Sequence, residues 1–128
     1  MANDFQRQFS RNTQELEIDK LFRALVKLEG SDLHLKVGCP PYVRVNGALR
    51  ALNRGPVDAE EMGRLVMPLV DYQERRRRIF EDEGGVDFAY ILEIDGRRWR
   101  FRVNVFLQMG QVGLVARRVN NVIPDFKT

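Results

Sequence analysis

Residues 98–104 have the sequence Arg98-Trp99-Arg100-Phe101-Arg102-Val103-Asn104, in which charged and bulky side chains alternate with a period of two. Successive side chains of a β-strand point to opposite faces, so the pattern predicts a strand with one apolar and one basic face. The apolar face would carry Trp99, Phe101, Val103, Val105 and Leu107. Arginines that share one sheet face repel each other unless an anion neutralises them. Phosphate is the favoured anion, because the guanidinium fork binds phosphate oxygens bidentately.

The composition is that of one ordinary soluble domain. A chain of 128 residues with 44% hydrophobic and 30% charged residues can bury a real core. No apolar run approaches the ~18 residues of a membrane span. The N-terminus lacks the apolar segment of a secretory signal. A single cysteine, Cys39, excludes an internal disulfide and favours a reducing compartment, the cytosol by default. A net charge of +3 does not by itself indicate nucleic-acid binding.

The N-terminal half begins with a helix and continues into strands. Apolar residues at helical spacing from Glu15 predict a helix, for which Gly30 is the expected C-cap. Three strands are then predicted at residues 31–37, 42–45 and 48–52. Asn46-Gly47 between the last two is a strong signal for a two-residue hairpin turn.

Two helices are predicted in the middle of the chain. Asp58 followed by Glu61 indicates a helix N-terminus of the capping-box type. Pro68 predicts an early end or a kink in this helix. Asp71 followed by Glu74 predicts a second helix that runs to about residue 83, where a Gly-Gly pair ends it.

Three further strands are predicted at residues 86–94, 97–108 and 111–119, joined by two-residue turns at Asp95-Gly96 and Met109-Gly110. Two groups of three strands with helices between them predict an α+β fold. We expect a PAS-like domain at residues 15–119, with a mostly antiparallel sheet of about six strands and helices on one face. Residues 1–14 are expected to be a flexible segment, and residues 120–128 the start of a linker.

The two-residue turns also predict the register of the basic strand. Arg98 would lie opposite Glu93, which gives this arginine a structural role. Arg100 and Arg102 would lie opposite apolar residues, and Arg102 would also lie opposite Arg117. Two interpretations stay open: these arginines are solvated or pair with diagonal carboxylates, or they form an anion site on a rigid sheet.

The other charged residues suggest little chemistry. The phosphate-binding motif Gly-x-x-x-x-Gly-Lys-Ser/Thr is absent, so the chain is not expected to hold a nucleotide or to be an enzyme on its own. One histidine and one cysteine are too few for a metal cluster. His34 beside Asp32 is best interpreted as a hydrogen-bonded structural residue. The run from Arg75 to Arg78 is best interpreted as a solvated helix face.

Four groups of residues are informative because of their order along the chain. They are Gly30-Ser31-Asp32-Leu33-His34-Leu35; Gly38-Cys39-Pro40-Pro41 with Arg44-Val45-Asn46-Gly47; Asp87-Phe88 with Arg100-Phe101-Arg102-Val103-Asn104; and Arg117 with Ile123-Pro124-Asp125-Phe126. In this combination they resemble the PilT family, the type IV pilus retraction ATPases. The resemblance covers roughly residues 16–128, and the Pro-Pro turn favours the retraction branch over the extension and type II secretion ATPases.

The resemblance implies a function that the chain performs with other domains. It corresponds to the N-terminal, PAS-like domain of a hexameric ATPase, and the sequence ends before the Walker A and Walker B segments. By position in the motifs, Arg100, Arg102 and Arg117 would approach the phosphates of ATP held by a RecA-like domain. ATP and Mg²⁺ are implied only for the full-length enzyme, with no metal site and no catalytic residue in this chain.

The resemblance also implies partners and a location. The partners would be the chain's own C-terminal RecA-like domain, neighbouring subunits of a homohexamer and the platform protein of the pilus in the inner membrane, with no nucleic acid. The protein would be cytoplasmic and peripheral to the inner membrane. Two other interpretations remain: a stand-alone PAS-like sensor or protein-interaction module, and a basic nucleic-acid binder with steeply salt-dependent binding.

Overall fold

The computed structural model describes residues 15–119, which form three helices and six strands. In chain order these are α1 (Asp19–Lys27), β1 (Asp32–Leu35), β2 (Tyr42–Val45), β3 (Ala48–Ala51), α2 (Ala59–Asp71), α3 (Glu74–Glu83), β4 (Gly85–Ile94), β5 (Arg97–Gln108) and β6 (Gln111–Arg118). The predicted α+β, PAS-like fold is confirmed. The predicted flexible segment and linker, residues 1–14 and 120–128, lie outside the described residues.

One antiparallel sheet with the strand order β3-β2-β1-β6-β5-β4 contains all six of these strands. Each predicted group of three strands forms a meander, and the two meanders join where β1 pairs with β6. Leu33 lies opposite Ala116 at this junction, and His34 lies opposite Val115. The first and last strands of the described chain are therefore the two central strands of the sheet.

Three of the hairpins, β2–β3, β4–β5 and β5–β6, turn through two residues with positive φ. The pairs are Asn46-Gly47, Asp95-Gly96 and Met109-Gly110, with φ between 51° and 82°. Positive φ at both turn residues is the type I′ geometry that suits the twist of adjoining strands. The predicted turns and the register that they impose are confirmed.

The core lies between the helices and one face of the sheet, which we call the inner face. Leu33, Val43, Val103 and Ala116, at most 1% exposed, form one row of this face across four strands. Phe22 of α1 packs on the rings of Tyr90 and Phe101, with centroids 5.1 and 4.7 Å apart. The apolar face predicted for β5 is confirmed from Trp99 to Val105. Leu107, next to the last residue of the strand, is 44% exposed, so the predicted apolar face is not buried along its whole length.

The first helix starts later than predicted, and the residue expected to cap it has a different role. α1 begins at Asp19 rather than near Glu15. Glu29, with φ of 55°, takes the left-handed conformation expected of Gly30. The amides of Glu29 and Gly30 donate to the carbonyls of Val26 and Leu25, which is a Schellman motif. Gly30 is needed instead for close packing, because a Cβ there would lie 2.4 Å from Val43 Cγ1.

The two middle helices confirm one predicted boundary and correct another. The Glu61 amide donates to Asp58 Oδ1 at 2.8 Å, so Asp58 caps α2 as expected. α2 continues past Pro68 to Asp71, since buried residues on both sides of the proline offset its cost of about 3 kcal/mol. Asp71 therefore ends α2 and does not start α3, whose N-cap is Gln73.

The end of α3 is as predicted: Gly84 takes a left-handed conformation with φ of 75°. Within residues 15–119, no helix is long and apolar enough to cross a membrane.

Candidate anion-binding site

The predicted basic side chains lie on the sheet face opposite the core, which we call the outer face. Arg98, Arg100, Arg102 and Arg117 are all exposed there. The three helices of the described chain pack against the inner face, so they leave these arginines uncovered. The backbone that carries them is rigid, because β5 pairs along nearly its whole length with β4 and β6.

The register on the outer face agrees with the sequence prediction. Arg100 lies opposite Ile91, Arg102 opposite Ala89, and Arg98 opposite Glu93. On the other side of β5, Arg102 lies opposite Arg117. Two arginines in direct cross-strand positions repel each other by a few tenths of a kcal/mol.

The expected partner of Arg98 is placed correctly but does not form an ion pair. In residues 15–119, no carboxylate oxygen lies within 4.0 Å of the guanidinium groups of Arg98, Arg100, Arg102 or Arg117. Exposed ion pairs are worth little in water, and the ordering of two long side chains opposes them. The structural role predicted for Arg98 is therefore not supported by a contact.

Two of the arginines line an open hollow of about 470 Å³ on the outer face, whose lining residues are Asp87, Phe88, Ala89, Arg100, Arg102 and Val119. One side is formed where the Val119 amide donates to the Arg100 carbonyl at 2.9 Å. Asp87 accepts a hydrogen bond from Asn104 Nδ2 at 2.9 Å. Asp87 is the carboxylate diagonal to Arg102, and it is bound to the side-chain amide of Asn104 instead of neutralising Arg102. The guanidinium groups of Arg100 and Arg102 therefore face the solvent in the hollow.

A charged row that the sequence did not reveal continues across the sheet from Arg117. Asp32 of β1 lies opposite Arg117, and Arg44 of β2 lies opposite Asp32. Arg44 Nε is 3.5 Å from Asp32 Oδ2, and Arg44 Nη1 donates to the Gly47 carbonyl at 3.0 Å. Asp32 and Arg44 alternate with the buried residues Leu33 and Val43, so they face away from the core, but no local signal indicates that β1 pairs with β6.

His34 does not make the hydrogen bond that was expected of it. Its Nε2 atom lies 3.6 Å from Asp32 Oδ2, which is ion-pair range but too long for a hydrogen bond. That nitrogen is buried and has no hydrogen-bond partner in the described part of the chain. His34 and Asp32 are two residues apart on one strand, so their side chains share a face, but the separation of these two atoms is too long for a hydrogen bond.

The arginine run of α3 is a solvated face with one exception. Arg75, Arg77 and Arg78 are exposed, as predicted. Arg76 instead donates through Nη1 to the Leu69 carbonyl at 2.8 Å, and its guanidinium lies 3.9 Å from the centroid of the Phe88 ring. Burial lowers the pKa of Arg76 below its ordinary value. This arginine joins α3 to the end of α2 and to β4.

Chemically, the outer face offers positive charge on a rigid support and little else. Guanidinium groups carried on a rigid sheet can stabilise the charge of a phosphoryl group that is brought to them. For metal binding, residues 15–119 contain no group of three or more histidine, cysteine or acidic side chains in suitable positions.

The fold and this site define a PAS-like α+β domain that presents arginines on an exposed sheet face. Comparison with known proteins identifies its homologues as type IV pilus ATPases. The chain is 35% identical over 112 residues to the type IV pilus ATPase PilU of Pseudomonas aeruginosa, and 34% identical over 104 residues to the type IV pilus retraction ATPase PilT of that organism. These matches cover 88% and 81% of the chain.

A solved structure also places the chain among the type IV pilus ATPases. The crystal structure of the pilus retraction motor PilT with bound ADP matches with a TM-score of 0.68 and 31% identity, over 89% of this chain and 32% of that one. The chain spans only 28% of PilU and 29% of PilT. No protein-family model matches it. The resemblance predicted from the sequence motifs is confirmed.

Proposed function

We propose that this chain is the N-terminal regulatory domain of a hexameric type IV pilus retraction ATPase, which powers twitching motility. In this proposal Arg100, Arg102 and Arg117 approach the phosphates of ATP that is held by a RecA-like ATPase domain of the same protein. The observation that carries it is the cross-strand pair of Arg102 and Arg117, which has no carboxylate within 4.0 Å in residues 15–119.

The charge arrangement supports an external anion. Facing arginines cost a little stability in the isolated domain, and a phosphate that binds both would reverse that cost. The hollow beside Arg100 and Arg102 is open to solvent, so a phosphate presented by another domain could enter it. The sequence has no P-loop of its own, so ATP and Mg²⁺ would be held by the ATPase domain. The solved PilT structure contains bound ADP, which supports nucleotide use by the full-length protein.

The arginines would act during phosphoryl transfer by neutralising charge that develops on the phosphoryl oxygens. Closure of this domain on the ATPase core would bring them into place, and opening would withdraw them. That movement would couple hydrolysis to work on the pilus. The proposed setting is the cytoplasmic face of the inner membrane, with neighbouring subunits of the hexamer and the platform protein of the pilus as partners.

The test uses the full-length protein with Arg102→Gln and Arg117→Gln, and Arg98→Gln as the matched control. Arg98 lies on the same face of the same strand as Arg102, outside the hollow. We expect the first two variants to lower ATP turnover by roughly 10²-fold, the order seen when one charge-stabilising donor is removed. The control should keep near-normal turnover, and all three should melt within a few degrees of the parent. Unchanged turnover in both Arg102→Gln and Arg117→Gln would contradict the proposal.

A further inference from the structure

Asp32 is the carboxylate best placed to neutralise Arg117, yet it does not contact it. The two residues are direct cross-strand partners at the junction of β1 and β6. Side chains in such positions have Cβ atoms roughly 4.5–5.5 Å apart, which is well within reach of an arginine. No Arg117 nitrogen lies within 4.0 Å of a carboxylate in residues 15–119. Unlike the exposed Glu93 opposite Arg98, Asp32 is mostly buried, so a contact with Arg117 would be favourable and its absence indicates that another group holds the Asp32 carboxylate.

Arg44 holds it from the opposite side. Its Nε lies 3.5 Å from Asp32 Oδ2, while its Nη1 is fixed by a 3.0 Å hydrogen bond to the Gly47 carbonyl. Gly47 belongs to the tight β2–β3 turn, so this anchor is rigid. His34 Nε2, at 3.6 Å, approaches the same carboxylate oxygen. Both neighbours thus lie next to Oδ2, on the side of Asp32 formed by β1 and β2.

We propose that Arg44 is a positioning residue that keeps the Asp32 carboxylate away from Arg117 and so leaves Arg117 free to bind phosphate. This proposal rests on the proposed function, because it assigns Arg117 to a phosphate. The Asp32 side chain is only 14% exposed, so water screens its charge poorly and its attraction for a nearby guanidinium is strong. Without Arg44, Asp32 would turn toward Arg117 and compete with the phosphate.

The competition can be measured on the 128-residue chain by NMR. ATP, which a chain without a P-loop can bind only through its arginines and therefore only weakly, is titrated to high concentration at low ionic strength while the arginine Nε–Hε resonances are followed. The variants are Arg44→Gln, Asp32→Asn and the double variant, with Arg50→Gln as the control. Arg50 is an exposed arginine in the same hairpin, and it lies opposite the buried Val43, so its side chain is not on the outer face. Arg50→Gln therefore removes the same charge as Arg44→Gln from a different face of the sheet.

The Arg117 resonance should shift in ATP-free Arg44→Gln. ATP binding of that variant should be about two- to five-fold weaker than that of Arg50→Gln, the range expected for one partly exposed ion pair. Adding Asp32→Asn should reverse both effects, which a merely unfolded or loosened hairpin would not allow. Arg44→Lys should resemble Arg44→Gln, since one ammonium cannot contact both Gly47 and Asp32 through a planar fork.

Two results would overturn the inference: ATP binding by Arg44→Gln as tight as by Arg50→Gln, or no recovery in the double variant. A different result would contradict the proposed function and not this inference. If Arg102→Gln and Arg117→Gln leave ATP binding unchanged, the phosphate contact fails. The Arg117 resonance in the ATP-free variants then still shows whether Arg44 restrains Asp32.

Discussion

The Tyr90 hydroxyl on β4 donates a hydrogen bond to Asp19 Oδ1 in the first turn of α1, across 71 residues of sequence. The Leu16 amide donates to the other carboxylate oxygen at 2.7 Å. Asp19 is 1% exposed, so its carboxylate is largely shielded from water, and both hydrogen bonds to it are partly buried. This pair joins the start of the first helix to the edge strand of the sheet beside the Phe22–Phe101 aromatic contact.

The first prediction concerns the pH dependence of stability. Burial raises the pKa of Asp19 above its ordinary value of 3.8, and the hydrogen bonds from Tyr90 and Leu16 only partly oppose it. Among nearby charges, Glu15 raises this pKa and Arg23 lowers it. A raised folded-state pKa means that the protonated form is favoured by folding. Its contribution is complete below the unfolded pKa and is lost as the pH rises through the folded pKa.

The measurement is urea unfolding of the parent and of Asp19→Asn at several pH values from about 3 to 7, around the reference value for Asp. We expect the stability of the parent relative to the variant to be greatest at the acidic end, to fall as the pH rises, and then to level off. A difference that is constant or that grows with pH would contradict a raised pKa.

The second prediction removes the other partner. Tyr90→Phe deletes the hydroxyl and leaves one buried carboxylate oxygen without its donor, which costs about 1–3 kcal/mol of unfolding free energy. The same change should raise the pKa of Asp19 further, because the hydrogen bond that lowers it is gone. Tyr42→Phe is the matched control, since its hydroxyl makes no hydrogen bond within residues 15–119. Equal stability losses in both variants would refute a specific role of the Tyr90 hydroxyl.

The local parts of this fold could be predicted from sequence, and the junction between them could not. Turns such as Asp95-Gly96 specify φ at two adjacent residues, so they determine both the hairpin and its register. The alternation around Arg102 likewise determined which face each side chain occupies. Pairing of β1 with β6 depends instead on the shape of the whole core, and neither strand carries a signal for the other. The sequence therefore predicted that Arg102 faces Arg117 but not that Arg117 faces Asp32.

Helix ends show the same division. Asp58 as N-cap is a local hydrogen bond, and it was predicted. The left-handed conformation of Glu29 was not predicted, because the neighbouring Gly30 has the stronger intrinsic preference for positive φ. The tertiary contact of Gly30 with Val43 uses the glycine for packing, so the neighbouring glutamate must take the less favourable backbone conformation.

The third prediction concerns the single half-buried arginine of α3. Arg76→Ala removes the hydrogen bond to the Leu69 carbonyl and the stacking on Phe88, and should cost roughly 1–3 kcal/mol of unfolding free energy. Arg77→Ala, one residue along the same helix but exposed, should change it by no more than about 0.5 kcal/mol. Urea unfolding of the two variants measures the contrast. Similar values would mean that Arg76 is only another solvated residue of the run.

The fourth prediction follows from the facing arginines and needs no ATPase domain. Arg117→Gln removes the repulsion with Arg102, so we expect it to leave unfolding free energy unchanged or to raise it by a few tenths of a kcal/mol. Pyrophosphate should raise the melting temperature of the parent, because an anion that binds only the folded form stabilises it by mass action. The rise should be smaller in Arg117→Gln than in Arg98→Gln, which removes the same charge from the same face but leaves the facing pair intact. A loss of more than about 1 kcal/mol in Arg117→Gln would show that this arginine supports the fold, beyond the usual effect of a surface substitution. A pyrophosphate shift equal in all three proteins would show that the anion does not select the facing pair.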